Sequence, residues 1–172
     1  MRAFLLLIGF LFVTPVLALP QPTGTVLLTL TGNITNTNVG DSAQLDRKML
    51  AALPQHKLTT TMAWVSKKER PHDYVGFSAM DLLKLVDGSG DVLRIRALNQ
   101  YVIDIPISDF EKYGAIFAIK KDGKDISIRN LGPIMVLYPF DDNEELRNEV
   151  YYWRAIWQVS SIKVLTNSTQ VD

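Results

Sequence analysis

The stretch of residues 126–165 limits most strongly what this chain can fold into. Its run at 134–138 is apolar and has a proline on each side, which is typical of a short buried strand. An acidic loop follows, and residues 159–164 then alternate apolar and polar side chains as a half-buried strand does. These two strands predict a core that is built around a β-sheet.

The loop expected between these strands is rich in aromatic side chains. Residues 151–157 have the sequence YYWRAIW, so Trp153 and Trp157 lie on either side of Arg154. Indole rings offer flat apolar surfaces, and a guanidinium offers a planar fork of hydrogen-bond donors. This predicted loop is therefore the first candidate for a binding site.

The composition of the chain fits one globular domain with a sizeable core. The chain has 172 residues, of which 47% are hydrophobic and 21% are charged, and its formal net charge is zero. The absence of an evident basic face argues against nucleic acid as a partner. Because the sequence contains no cysteine, disulfides, thiolate nucleophiles and cysteine-ligated zinc or molybdenum are excluded.

The N-terminus has the pattern of a secretory signal peptide. Arg2 precedes an apolar run at 3–13, and residues 16–18 (VLA) fit the small-residue rule for cleavage. The apolar run is about half of the roughly 20 residues that a membrane span needs, which disfavours an uncleaved anchor helix. We therefore expect a cleaved signal peptide at 1–18 and a single exported domain at 19–172.

The remaining patterns predict about seven short strands and three short helices. Two of the helix starts, Ser78 with Asp81 and Ser108 with Glu111, carry a serine and an acidic residue at the spacing of a capping box. Residues 66–74 are charged and predict a surface loop. Since strands and helices are interspersed without strict alternation, we expect an α+β fold with a largely mixed sheet. Strands are expected at 25–31, 57–64, 92–97, 101–105, 115–120, 134–138 and 159–164, and helices at 45–53, from 78 and from 108.

Other chemical patterns in the sequence are weak. His56 and His72 would make a metal pair only if they met in space, and lone surface histidines are commoner. The acidic run at 141–145 lacks the glycine that a calcium loop needs at its bend. The sequence has no Gly-x-Ser-x-Gly elbow, and residues 88–90 (GSG) are too short for a phosphate loop. None of these patterns predicts a catalytic residue.

Aromatic and polar residues at predicted strand ends together suggest a site for a flat heterocycle. Tryptophan would stack on the face of such a ring, Asp and Asn would bind its donor edge, and Arg would bind its carbonyl. The alternatives are ordinary core packing for the tryptophans and surface ion pairing for the charged residues. The residues concerned are Trp64, Trp153, Trp157, Asn99, Tyr101, Asp104, Arg129 and Arg154.

The order of these features resembles the sulfite oxidase-type molybdopterin-binding domain over roughly residues 25–164. The resemblance implies the mixed α+β core of that family, with short flanking helices. Four stretches carry it: 60–64 (TTMAW), 74–83 (YVGFSAMDLL), 97–106 (ALNQYVIDIP), and 131–139 (LGPIMVLYP) together with 156–157 (IW) and 162–164 (IKV).

Three positions depart from the pattern of the enzymes in this family. The resemblance places Thr60 where the enzymes have the cysteine that holds molybdenum, and a neutral hydroxyl cannot replace a thiolate as a soft ligand. It also places Leu131-Gly132 at their His-Gly motif and Ile156-Trp157 at their Lys-Trp motif. The resemblance therefore implies a pterin-shaped pocket that has lost its metal.

A subgroup of this family departs from the enzymes in the same way, and this chain is similar to it. Its members are periplasmic pterin-binding proteins that regulate an inner-membrane enzyme of cyclic di-GMP synthesis and degradation by docking on its periplasmic sensor region. The resemblance implies a periplasmic, non-catalytic pterin sensor without a metal. A molybdopterin-dependent oxidoreductase of sulfite oxidase type and a ligand-free structural adaptor are the alternatives. The pterin-binding residues expected are Thr60, Trp64, Asn99, Tyr101, Asp104, Arg129, Arg154 and Trp157.

Overall fold

The computed structural model of the protein describes residues 18–62 and 70–166. Within these two ranges, ten strands and four short α-helices are interspersed along the chain. The predicted α+β class is therefore confirmed. The predicted signal peptide, except for Ala18, lies outside the described residues, and so does Trp64.

The strands and helices are short, as the sequence pattern predicted. The strands are β1 Val26–Gly32, β2 Ala43–Asp46, β3 His56–Thr60, β4 His72–Phe77, β5 Val92–Ala97, β6 Val102–Pro106, β7 Ile116–Lys121, β8 Lys124–Asp125, β9 Met135–Leu137 and β10 Val159–Leu165. The α-helices are α1 Arg47–Ala52, α2 Ala79–Val86, α3 Ile107–Tyr113 and α4 Glu149–Arg154. None of the described helices is long and apolar enough to cross a membrane.

The strands form two sheets. In the first, which we call sheet I, the strand order is β2-β1-β10-β5-β6. The central pair β1 and β10 is parallel, whereas the other neighbours are antiparallel, so the sheet is mixed as expected. Sheet II has the order β3-β4-β7, and β8 and β9 pair with successive parts of β7.

The main core joins the inner face of sheet I to the helices and to sheet II. Strand alternation buries Leu28 and Leu30 of β1 completely, and α2 adds Leu82 to the same cluster. From sheet II, Phe117 stacks between Phe77 and Phe110, with ring centroids 5.4 and 5.1 Å away. Along β1, β5 and β10 of sheet I, buried side chains largely alternate with more exposed ones, and the more exposed ones form the outer face of the sheet.

The predicted capping pattern at the start of α2 is confirmed. The Asp81 N–H donates to Ser78 Oγ at 3.0 Å, and the Ser78 hydroxyl donates to the Asp81 carboxylate at 2.5 Å. The ring Nε2 of His56 lies 2.8 Å from the same carboxylate. The hydrogen bond from Ser78, followed by that with His56, lowers the pKa of Asp81 below its ordinary value.

The predicted cap at Ser108 is wrong. Helix α3 begins one residue earlier, at Ile107, and its N-cap is Pro106, which makes no side-chain capping bond. Ser108 consequently falls inside the first turn, where its hydroxyl cannot cap the helix. Asp109, in the same turn, is buried and takes part in a tertiary contact that the local pattern does not show.

Two further expectations about the path of the chain are also wrong. Strand β4 begins at His72, within the predicted surface loop, and Tyr74 is fully buried. The aromatic loop expected at 151–157 is helical as far as Arg154, because the Asn148 side chain caps α4 by accepting from Val150 N–H at 2.9 Å. Asn148 followed by Glu149 was the sequence signal for this helix.

Candidate functional site

An aromatic cavity of about 390 Å³ lies where the β5–β6 hairpin meets α4 and the segment that leads into β10. We call it the aromatic slot. It brings together three of the expected pterin-binding residues, Asn99, Tyr101 and Trp157, with Trp153, which belongs to the wider set expected to bind a flat heterocycle. Its lining residues are Ala97, Asn99, Tyr101, Trp153, Ile156 and Trp157.

The tip of the β5–β6 hairpin holds one wall of the slot in place. Ala97 N–H donates to Tyr101 O at 2.9 Å, and Gln100, at a φ of 70°, takes the left-handed position of a three-residue hairpin loop. The Asn99 Oδ1 accepts from Tyr101 N–H at 3.0 Å. Within residues 18–62 and 70–166, nothing accepts a hydrogen bond from Asn99 Nδ2, which leaves this amide as a donor for a ligand.

The opposite wall of the slot carries the two indoles. Trp153 is 55% exposed on α4, whereas Trp157 is partly buried and packs against the small core cluster that includes Met135. Backbone hydrogen bonds from Gln158 N–H to Leu131 O and from Leu98 N–H to Gln158 O, both 2.9 Å, fix the chain just after Trp157. Trp157 is thus the more buried of the two indoles that line the slot, and Trp153 is the more exposed.

Arg154 lies next to the slot along the chain but does not line it. Its Nη1 donates to Asp109 Oδ2 at 2.8 Å, and the Tyr138 hydroxyl donates to the same oxygen at 2.9 Å. The guanidinium also lies 5.5 Å from the centroid of the Tyr151 ring. Burial, followed by the nearby Asp109 charge, raises the pKa of Tyr138, so this hydroxyl stays protonated and acts as a donor. In this network Arg154 holds α4 against α3.

Two other predicted site residues are also engaged elsewhere. Asp104 accepts from both Nε and Nη2 of Arg94 at 2.8 Å, and this pairing lowers the pKa of Asp104. Thr60 is fully buried at the end of β3, where its Oγ1 accepts from Phe140 N–H at 3.1 Å. Neither side chain lines the aromatic slot.

Arg129 lines a second cavity, of about 610 Å³, that shares no lining residue with the aromatic slot. Two lysines and two aspartates share this cavity. Asp122 is paired with His72 at 2.7 Å, and Asp125 lies 3.4 Å from Arg47, so both carboxylates are already engaged. The residues lining it are Met62, Lys121, Asp122, Lys124, Asp125, Ile126, Arg129, Asn130, Leu131 and Met135.

The donor set does not suit a molybdenum cofactor held through cysteine. The sequence contains no cysteine, and the hydroxyl of Thr60 is already engaged with the backbone. Among the described residues, no group of three or more His, Cys, Asp or Glu side chains is placed to hold a metal ion. His56 and His72 each pair with a different aspartate, Asp81 and Asp122.

Comparison with known proteins shows which fold the chain has. No family model and no curated protein matches the sequence. Among solved structures, the chain is similar to the sulfane dehydrogenase SoxCD from Paracoccus pantotrophus, with a TM-score of 0.58 at 14% sequence identity. The chain has a sulfite oxidase-like fold. The likeness covers 80% of this chain but only 37% of that chain, and at this identity it shows the fold alone.

Proposed function

We propose that this protein is a non-catalytic pterin-binding protein and that the aromatic slot holds the pterin. The observation that carries the proposal is the cavity of about 390 Å³ between Tyr101, Trp153 and Trp157. Its size lies within the range of roughly 300–1,000 Å³ that is typical of small-molecule sites. A pterin is a flat bicyclic ring, and flat rings gain from offset stacking on indole and phenol faces.

Few polar groups are left to orient the ring. Asn99 Nδ2 offers a donor to a ring nitrogen or carbonyl, whereas Arg154 and Asp104 are bound to other side chains. Binding would therefore depend mainly on stacking, with Asn99 setting the orientation. A site of this kind would accept several pterins that share the bicyclic ring.

The lining of the slot supports binding more than catalysis. Among the described residues, the lining set contains Tyr101 as its one titratable side chain, and it has no carboxylate, histidine or lysine for proton transfer. The absence of cysteine from the sequence removes the soft ligand that a cysteine-bound molybdenum would need. The open slot and the exposed Trp153 favour a binding protein over an adaptor with a collapsed pocket.

We propose further that the protein acts in the periplasm and regulates an inner-membrane cyclic di-GMP enzyme by docking on its periplasmic region. The signal-like N-terminus and the sequence resemblance support this part of the proposal. Regulation requires that the partner bind the loaded and unloaded forms with different affinity. Trp153 offers a route for this coupling, because it lines the slot and is also exposed at the surface.

Titration with reduced pterins tests the proposed ligand. Dihydrobiopterin should quench tryptophan fluorescence, and Trp157→Leu should weaken binding by about 1–3 kcal/mol because it removes a stacking surface. Arg129→Ala is the matched control, since Arg129 lines the other cavity. The proposed site is wrong if Arg129→Ala weakens binding more than Trp157→Leu does. Pterin binding itself is ruled out if several reduced pterins give neither quenching nor heat.

Affinity measurements with the partner test the regulatory part. The isolated periplasmic region of a cyclic di-GMP enzyme from the same cells would be titrated with this protein, with and without saturating dihydrobiopterin. We expect its dissociation constant to change by about 5-fold or more, the lower end of typical allosteric coupling. Equal dissociation constants in the two titrations would contradict ligand-dependent docking.

A further inference from the structure

A polar groove continues from the aromatic slot along the edge strand β6. Its volume is about 700 Å³, and we call it the arginine groove. Tyr101 and Trp153 line both spaces, so the slot and the groove meet at these two rings. The residues that line the groove are Arg94, Arg96, Tyr101, Val102, Ile103, Asp104 and Trp153.

Of the two arginines that line the groove, Arg96 has no carboxylate partner within residues 18–62 and 70–166. Arg94 is held by both oxygens of Asp104, and the lowered pKa of Asp104 keeps that pair charged at neutral pH. Arg96 instead donates from Nη1 to the neutral side-chain oxygen of Gln100 at 3.0 Å. No carboxylate among the described residues forms an ion pair with Arg96.

Strand register explains why Arg96 has no carboxylate on the strands next to it. On β6 the residue opposite Arg96 is Val102, and on β10 it is Ser161, so both cross-strand neighbours are uncharged. Arg94 stands between Asp104 and Lys163 in the next polar row of the same face. Arg96 therefore lies at the end of β5 that is nearer the slot, next to the lining residue Ala97.

We infer that the natural ligand is a pterin with an anionic substituent and that Arg96 binds the anion. The inference rests on the proposed function, because it places the bicyclic ring in the aromatic slot. A substituent that leaves the ring past Tyr101 and Trp153 enters the groove in which Arg96 lies. A guanidinium presents a planar fork of donors that matches the oxygens of a phosphate or carboxylate group.

The hydrogen bond that Arg96 donates to Gln100 supports the assignment of Arg96 as the anion-binding residue. Gln100 accepts from one nitrogen of Arg96 and so orients the guanidinium without neutralising it. Arg96 is exposed, and solvent therefore weakens its attraction to an anion. We accordingly expect Arg96 to improve the affinity for an anionic pterin by about 5- to 10-fold at low salt, with a smaller gain at high salt.

A paired titration tests the inference. Dihydroneopterin and dihydroneopterin monophosphate share one ring system and differ in the phosphate, so each is titrated into the wild-type protein, Arg96→Gln, Arg96→Lys and Lys163→Gln. The wild-type protein should prefer the monophosphate by about 5- to 10-fold. Arg96→Gln should abolish this preference while the affinity for dihydroneopterin stays unchanged, and Arg96→Lys should keep part of it.

Lys163→Gln is the matched control for the loss of one positive charge. Lys163 lies on the same exposed face as Arg96 but does not line the groove, so its replacement should change the preference by less than about 2-fold. Equal affinity of the wild-type protein for the two ligands, or an undiminished preference in Arg96→Gln, would overturn the inference. In both cases dihydroneopterin still quenches tryptophan fluorescence and the proposed function stands, whereas no binding of either ligand overturns both.

Discussion

At the scale of single residues, Arg154 shows how a tertiary contact changes the use of a side chain. Its place between two tryptophans suggested a ligand contact, but its guanidinium is bound to Asp109 and packs on Tyr151. Asp109 is 45 residues away in the sequence, so no local pattern reveals the pair. Arg154 acts on the slot indirectly, by holding the helix that carries Trp153.

The Tyr138–Asp109 hydrogen bond gives a prediction at this scale. Tyr138→Phe should lower the free energy of unfolding by about 1–3 kcal/mol, because it removes a buried donor from a carboxylate. Urea denaturation measures the change. Tyr101→Phe is the control, since it also removes one hydroxyl but at an exposed position, and it should change the free energy by less than about 0.5 kcal/mol. Similar losses of unfolding free energy in the two variants would show that the buried Tyr138–Asp109 hydrogen bond does not stabilise the fold.

At the scale of secondary structure, the capping-box pattern predicted one helix N-cap correctly and one wrongly. Ser78 and Asp81 cap α2 as their spacing indicated, whereas the same spacing at Ser108 lies inside α3. Helix α4 was missed because its six residues are mostly aromatic and β-branched side chains with low helix propensity. Its cap at Asn148 and its contacts with neighbouring elements outweigh that propensity.

The cap of α2 predicts an effect of acid on stability. The folded-state pKa of Asp81 is below its ordinary value of 3.8, so the carboxylate stabilises the fold above that pH and loses this contribution as the pH falls through the folded pKa. Ser78→Ala removes the main cause of the lowered pKa. The variant should therefore lose about 1 kcal/mol at neutral pH and depend less on pH below about pH 4.

Urea denaturation at neutral pH and at a series of acidic values measures both effects of Ser78→Ala. Ser89→Ala provides the comparison, because Ser89 is exposed in the turn after α2 and makes no capping bond to it. Its unfolding free energy should stay within about 0.5 kcal/mol of the wild-type value at every pH. Parallel pH curves for wild type and Ser78→Ala would show that the cap does not lower the pKa of Asp81.

At the scale of the whole molecule, the chain combines a sulfite oxidase-like fold with a sequence that offers no thiolate ligand. The two-sheet framework is similar to SoxCD over 80% of this chain, yet the sequence has no cysteine. The buried Thr60 hydroxyl instead binds the backbone at Phe140. Buried apolar side chains join the two sheets and the helices in one cluster, and this packing does not require a metal–ligand bond.

The metal content of the native protein tests whether the protein holds molybdenum without a cysteine ligand. Protein purified from its native cells, grown so that they make molybdenum cofactor, should contain far less than one molybdenum per chain, since a hydroxyl does not replace a thiolate as its ligand. Mass spectrometry of the metals measures the content, with an exported sulfite oxidase-type enzyme from the same cells as a positive control. One molybdenum per chain would contradict the proposal of a metal-free pterin site.

The sequence by itself determined the fold class, the long strands of the mixed sheet, the cap of α2 and the absence of a thiolate. These features depend on side-chain period, local hydrogen bonding and composition, all of which are readable within a few residues. Only the tertiary structure decided that Asn99, Tyr101 and Trp157 meet in one cavity while Asp104, Arg129, Arg154 and Thr60 do not line it. The reason is that a strand-end position does not specify which charged partner lies opposite. Sheet register pairs Arg94 with Asp104 and places the uncharged Val102 opposite Arg96.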